Sequence, residues 1–367
     1  MEALKNLLCI GLISLSLGCA KQQLLTAEGV NSTKNKDRVK AKAVLVMPGA
    51  VGDTNIRYFG RWNFSNATQY ESDWGGAYIK VKFTGTTVKI KVGNNTNYYA
   101  KIDNGPWVSY KGVSGTVNLT STPLANGTHT LSVAQGKDYS YVFIFQGLIL
   151  DAGATTSAPQ VGADLIEYIG DSITAGYTDD QANVSDYAWV CSEALGAEHT
   201  QIAYPGIALT NNFGINANKT GMEIQYFKQQ SLAFTNSPDW DFTRYTPKVV
   251  VINLGQNDQS TQVPDSLFQS TYISFLGKVR AKFPNAHIFA MRTFFGVKAA
   301  QTLAAVNARI AAGDNKVHYI NTDGWLTRNS PDYTNNTDVH PSVSGHIKAA
   351  GRLQPILAPY LSGGAQP

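Results

Sequence analysis

The sequence predicts two folded parts: an N-terminal β-sandwich, jelly-roll-like, followed by a three-layer α/β/α domain built on a parallel sheet. Three observations predict it. Apolar residues alternate with period two from about 45 to 150; short unbroken apolar runs alternate with helical stretches from about 160 to 362; and a joint of small residues, Asp151 to Pro159, separates the two textures. The length of 367 residues fits two domains at about 150 residues each. Hydrophobic residues make up 43% and charged residues only 15%, so charge-driven disorder is excluded. A formal charge of +4, dispersed along the chain, lacks the clustered basic footprint of a nucleic-acid binder. Three cysteines, Cys9, Cys19 and Cys191, exclude a disulfide framework and multi-cysteine metal sites.

Taken in chain order, residues 1–19 read as an export signal. Leu7 to Gly18 is an apolar run behind Lys5, shorter than the roughly 20 residues a membrane span needs. It ends in Leu15-Ser16-Leu17-Gly18-Cys19, which resembles the bacterial lipobox and makes Cys19 the expected lipidation site, ordinary secretion with cleavage near Ala20 being the alternative. The protein is therefore expected outside the cytoplasm: a lipoprotein of an outer membrane or cell surface, or else periplasmic or secreted. Residues 20–44, rich in Lys, Gln, Asn and Thr, form a polar tether.

Residues 45–152 carry strands such as Ala77 to Phe83 and Thr87 to Val92, with hairpin-type signals at Asp103-Asn104-Gly105 and Asn126-Gly127. Trp62, Trp74, Tyr98, Tyr99 and Trp107 offer a sugar platform, although core and cross-strand packing is the commoner use of such rings. Residues 160–362 carry buried-type strands at Leu165–Ile169, Lys248–Leu254, Ala286–Ala290 and Val317–Ile320, with helices at Leu267–Lys282 and Ala299–Ala312. In such a domain the chemistry belongs beyond the C-terminal ends of the strands.

Four elements sit at those ends. Gly170-Asp171-Ser172 places a serine at a strand-to-helix turn, where N–H groups can meet a developing oxyanion. Leu254-Gly255-Gln256-Asn257-Asp258 places an uncharged amide donor after the most apolar strand. Tyr204-Pro205-Gly206 follows the run Gln201-Ile202-Ala203, and glycine lets a backbone N–H approach a ligand closely. Thr337-Asp338-Val339-His340-Pro341 precedes the last helix, where an imidazole can act as base and then acid. Each has an ordinary alternative as a turn, cap or surface residue. The other five histidines lack a comparable setting, and no cluster has metal-ligand spacing.

Together and in this order, the four elements resemble the SGNH, or GDSL-like, hydrolases. The resemblance implies Ser172 as nucleophile, His340 as general base, and an oxyanion hole of the Ser172 N–H, the Gly206 N–H and the Asn257 side chain. The family's usual acid position, three before the histidine, holds Thr337, while Asp338 lies two before. Side chains at those two positions of an extended loop point differently, so either Asp338 reaches His340 by an unusual loop path or another acceptor, such as a backbone carbonyl, orients the ring. The preceding sandwich, with Asp-x-His-Pro-Ser and Gly-Asp-Ser-Ile-Thr-x-Gly-Tyr, is similar to carbohydrate esterase family 2. That resemblance extends over the Tyr58–Trp62 stretch and implies a serine esterase that removes O-acetyl groups from plant polysaccharides such as xylan or glucomannan. It implies no metal and no organic cofactor. The expected partner is an acetylated polysaccharide or oligosaccharide, with no nucleic acid and with membrane contact only through the N-terminal lipid. Asp171 reads as structural, holding its turn, and Tyr177, Trp325 and Tyr333 are candidates to line a sugar cleft, with packing the alternative. The competing readings are another SGNH esterase, lipase or peptidoglycan O-acetyl esterase, and a non-catalytic glycan-binding surface lipoprotein.

Overall fold

A computed structural model describes residues 46–136, 142–179, 181–335 and 338–362. The expected signal and tether, with Cys19, and Thr337 lie outside the described residues.

The N-terminal domain contains β1 (Arg57–Phe59), β2 (Tyr70–Ser72), β3 (Tyr78–Gly85), β4 (Val88–Ile102), β5 (Val108–Asn118), β6 (Gly127–Gln135), β7 (Phe143–Leu150) and β8 (Thr156–Ser157). They form one antiparallel sheet in the order β1-β3-β6-β4-β7-β2, with β5 also on β4 and β8 also on β3. Both layers of the expected sandwich thus belong to one curled sheet, and β4 makes the fold possible. Its first half, Val88–Val92, pairs with β7, and its second half, Tyr98–Ile102, pairs with β6. Register shifts between Val92 and Tyr98 mark the bulge at which the strand bends from one layer into the other. Period-two alternation sends Ile79, Val81, Phe83, Leu131 and Val133 into the core, where full burial of each contributes roughly 1.5–3 kcal/mol. Asp103-Asn104-Gly105 turns β4 into β5 as expected, with the Gly105 N–H on the Ile102 carbonyl. Asn126-Gly127 is not a hairpin: β6 pairs with β3 and β4 rather than with the preceding β5, because the connection from β5 crosses to another part of the sheet. The small-residue joint also does structural work, since it supplies β8 and since Asp151 accepts the Thr86 and Thr87 N–H groups.

The second domain contains β9 (Leu165–Gly170), α1 (Tyr187–Leu195), β10 (Glu198–Ala203), α2 (Met222–Gln225), β11 (Val249–Asn253), α3 (Gln256–Ser260), α4 (Asp265–Lys282), β12 (His287–Met291), α5 (Ala299–Ala311), β13 (Val317–Ile320) and α6 (Val343–Leu357). The five strands are parallel in the order β10-β9-β11-β12-β13. The central strands β11 and β12 are apolar on both faces, and their successive side chains enter opposite layers. Val250, Ile252, Ile288 and Ala290 meet α4 and α5, while Val249, Val251, Phe289 and Met291 lie in the core with Ala349, Ala350 and Leu353 of α6. Strand order reverses between β9 and β11, and in open α/β sheets the place beyond the carboxyl ends at such a reversal is where ligands bind.

The domains share a buried boundary. The Arg61 guanidinium donates to the Tyr226 and Lys228 carbonyls and lies 4.9 Å from the Tyr226 ring centroid. The Trp74 indole N–H donates to the Gln229 carbonyl at 3.0 Å. Packing accounts for the sandwich aromatics: Trp62, Trp74, Tyr98 and Tyr99 are all at most 2% exposed, and only Trp107 remains partly accessible. Among the described residues, no helix is long and apolar enough to cross a membrane.

Candidate active site

Ser172 lies in the loop after β9 and Asn257 in the first turn of α3, directly after β11, on the two strands that flank the reversal of strand order. After β9 the chain does not enter a regular helix directly. Residues 171–177 wind through successive tight turns, with Ala175 N on Asp171 O at 3.1 Å and Tyr177 N on Ser172 O at 3.0 Å. Asp171 braces the first turn by accepting the Ile173 N–H at 3.0 Å.

Ser172 Oγ lies 2.8 Å from His340 Nε2, and His340 Nδ1 lies 2.5 Å from Asp338 Oδ1. The same Asp338 oxygen accepts the His340 backbone N–H at 3.0 Å. A carboxylate accepting the N–H two residues on is an Asx turn. It folds the chain back, and this is how a side chain only two positions before His340 comes to lie against the ring. Burial opposes ionisation of Asp338, but the His340 N–H and ring and the Thr334 hydroxyl together hold the carboxyl below the usual range. An ionised carboxylate only accepts, so Nδ1–H donates to it and Nε2 is left to accept the Ser172 hydroxyl proton. The loop itself is pinned at its base. Tyr333 bridges Pro341, the Ser342 N–H donates to Asp332 O at 3.0 Å, and Ser342 Oγ caps α6 by accepting the Gly345 N–H.

Gly206 has φ +81°, and a Cβ there would meet Ile215 Cγ1 at 2.7 Å, so both backbone and space require glycine. Asn257 Nδ2 donates to the Ile207 carbonyl at 3.0 Å and, over a longer 3.3 Å, to Asp171 Oδ2. Asp258 is the member to which sequence reasoning assigned no task. Its carboxylate accepts the Leu209 and Thr210 N–H groups at 2.8 and 3.0 Å, tying the loop of Gly206 to α3, which carries Asn257. Its only signal in the sequence was adjacency to Asn257. His346 is likewise built in: buried, it accepts the Tyr187 N–H at 3.2 Å and so joins the start of α6 to α1.

The three expected cleft residues separate. Tyr177 is 42% exposed with its ring 5.0 Å from that of His340. Trp325 and Tyr333 both make packing contacts: Trp325 lies in the core cluster with Phe294, and the Tyr333 ring lies 5.2 Å from that of Phe295. Among the described residues, no group of three or more His, Cys, Asp or Glu side chains is placed to hold a metal ion.

Burial and the charge of Asp258 push the Asp171 carboxyl up to about 7, against partial relief from the Ile173 N–H and Asn257. Between pH 4 and 7 the folded protein therefore keeps a proton that the unfolded chain has lost, so this group lowers stability as pH rises through that window. Asp171→Asn is expected to show a smaller fall in Tm between pH 4.5 and 7.5 than the wild type. Parallel Tm curves for the two proteins would refute the assignment.

Two family descriptions match this chain in tandem: the carbohydrate esterase 2 N-terminal domain over residues 58–159 and the GDSL-like lipase/acylhydrolase family over residues 168–347. The chain belongs to the GDSL-like hydrolases of the carbohydrate esterase 2 type. It is 32% identical over 325 residues to the cellulase/esterase CelE of Acetivibrio thermocellus, a match covering 81% of this chain and 38% of that protein. It is 25% identical to an acetylxylan esterase/glucomannan deacetylase of Cellvibrio japonicus, covering 84% and 89%. A Clostridium thermocellum family two carbohydrate esterase, solved in complex with cellohexaose, superposes with a TM-score of 0.73 at 29% identity, covering 82% of this chain and 98% of that one. The tandem of curled sheet and parallel-sheet domain is thus the architecture of this esterase type.

Proposed function

We propose that this protein is an exported, lipid-anchored or secreted serine esterase that hydrolyses O-acetyl groups of plant polysaccharides through an acyl-enzyme. The observation that carries the reading is the continuous relay from Ser172 Oγ through His340 to Asp338, set in the crevice beside Gly206 and Asn257. Support for the substrate class comes from relatives named as acetylxylan esterase/glucomannan deacetylase and from the cellohexaose held by a similar esterase.

In this mechanism His340 Nε2 accepts the Ser172 proton as Oγ attacks the acetyl carbonyl carbon. Charge developing on the carbonyl oxygen is met by the N–H groups of Ser172 and Gly206 and by Asn257 Nδ2. The Ile207 carbonyl fixes the amide plane through one N–H, and the other, held only by the longer contact to Asp171 Oδ2, is the N–H offered to the oxyanion. Collapse breaks the ester bond, and the sugar oxygen leaves with the proton from Nε2. Water then gives a proton to Nε2, attacks the acetyl-serine, and acetate departs as the proton returns to Oγ.

The decisive experiment measures acetate released from acetylated xylan and acetylated glucomannan, with short- and long-chain chromogenic esters alongside. Release from a glycan establishes the substrate class, whereas turnover of the long-chain ester alone replaces it with a lipase. Asn257→Ala is expected to lower kcat by about 10²–10³ with little change in KM, because its donor acts on the transition state. Undiminished turnover would remove Asn257 from the site.

A further inference from the structure

Between the outer face of the N-terminal sheet and α1, the two domains enclose a cleft of about 180 Å³ that shares no lining residue with the relay of Ser172 and His340. Strand register explains its floor. Lys80 of β3 and Lys101 of β4 both stand opposite Ser132 of β6, so the three share one face. On that same face Tyr78, Tyr99 and Ala134 are already packed against Trp189 of α1. The apolar end of the face is covered and the polar end is left open.

The walls are aromatic and charged. Trp107, just past the β4–β5 turn, has Lys101 Nζ 4.7 Å from its ring centroid and meets Trp189 edge-on at 5.4 Å. Glu193 of α1 pairs with Lys101 at 3.0 Å, and Glu198 pairs with Lys80 at 2.8 Å, so the lysines are balanced and the cleft does not select an anion. Two buried groups of the wall, Trp189 Nε1 and His199 Nε2, have no hydrogen-bond partner among the described residues, an uncommon state for buried polar atoms. Burial, and then the charge of Lys80, hold His199 down at about 3, so its ring is neutral.

Ring edges and faces beside lysine, carboxylate, hydroxyl and indole N–H groups suit a neutral pyranose, which is apolar across its C–H faces and polar around its rim. The volume is below the roughly 300–1,000 Å³ of sites for drug-sized ligands, and so matches one sugar ring of a chain. Gln181, downstream of the turn that carries Ser172 and Tyr177, donates to the Trp107 carbonyl at 3.5 Å, which brings the cleft's rim to the catalytic loop.

We infer that this cleft is a second, non-catalytic carbohydrate site that seats one neutral pyranose unit of the polysaccharide, an inference that rests on the esterase reading above. The test uses the six tryptophans, whose indole N–H signals are followed by nitrogen-15 NMR in full-length Ser172→Ala during titration with xylohexaose and with cellohexaose. The Trp107 and Trp189 signals are expected to shift saturably. Affinity read from the Trp189 signal is expected to fall at least tenfold in Trp107→Ala and to recover in part in Trp107→Phe, with Tm confirming folding. Should Trp107→Ala fail to fold, Lys101→Met, which removes only the rim ammonium, is expected to weaken the same signal's response. Static Trp107 and Trp189 signals, or unchanged affinity in the folded variants, overturn the second site. If wild type meanwhile releases acetate from the polymer, the esterase reading stands; if it releases none from any glycan, both fall.

Discussion

Ser172→Ala is expected to lower acetate release by about 10⁴–10⁶-fold, since it removes the hydroxyl that forms the acyl-enzyme in the proposed mechanism. His340→Ala should fall by a comparable factor, because Nε2, 2.8 Å from Ser172 Oγ, accepts the nucleophile's proton in the proposed mechanism. Residues acting as one unit are not additive, so the double variant should be scarcely worse than either single one. Steady-state kinetics on a chromogenic acetate ester measure all three. A double variant that loses the product of the two single effects would mean that serine and histidine act independently, and the relay would have to be abandoned.

The second large effect is expected at Asp338. With its carboxylate on His340 Nδ1 and on the His340 N–H, it sets both the tautomer of the ring and the shape of the loop. Asp338→Ala should reduce kcat by about 10²–10⁴, less than His340→Ala, because Nε2 remains beside the hydroxyl even when the tautomer is no longer enforced. Asp338→Asn should also be impaired, since an amide can present its N–H to Nδ1 and favour the wrong tautomer. Wild-type turnover in both variants would assign the orientation of His340 to another acceptor, while losses equal to that of His340→Ala would make the three residues a strict triad.

Much of the architecture was legible from period alone. Ile79, Val81 and Phe83 alternate because one face of a curled sheet meets a core, and Val249 to Ile252 do not because both faces of a parallel sheet are covered. The positions of Ser172, Gly206, Asn257 and His340 at strand ends or in the last loop could likewise be read from local order. Contacts depending on the path of a loop could not. The Asx turn at Asp338 and the bridge that Asp258 makes to residues 209 and 210 depend on segments distant in sequence or on dihedrals that composition does not encode.

The sequence by itself determined two domains, their layer types, and which side chains could do chemistry, because hydrophobic periodicity and residue type are local properties. Only the tertiary structure decided that the sandwich is one sheet bent at β4, that Asp338 touches His340, and that the N-terminal aromatics are mostly buried while Trp107 borders an interdomain cleft. Those outcomes follow from which surfaces exclude water from one another, and that choice is made only when the whole chain packs.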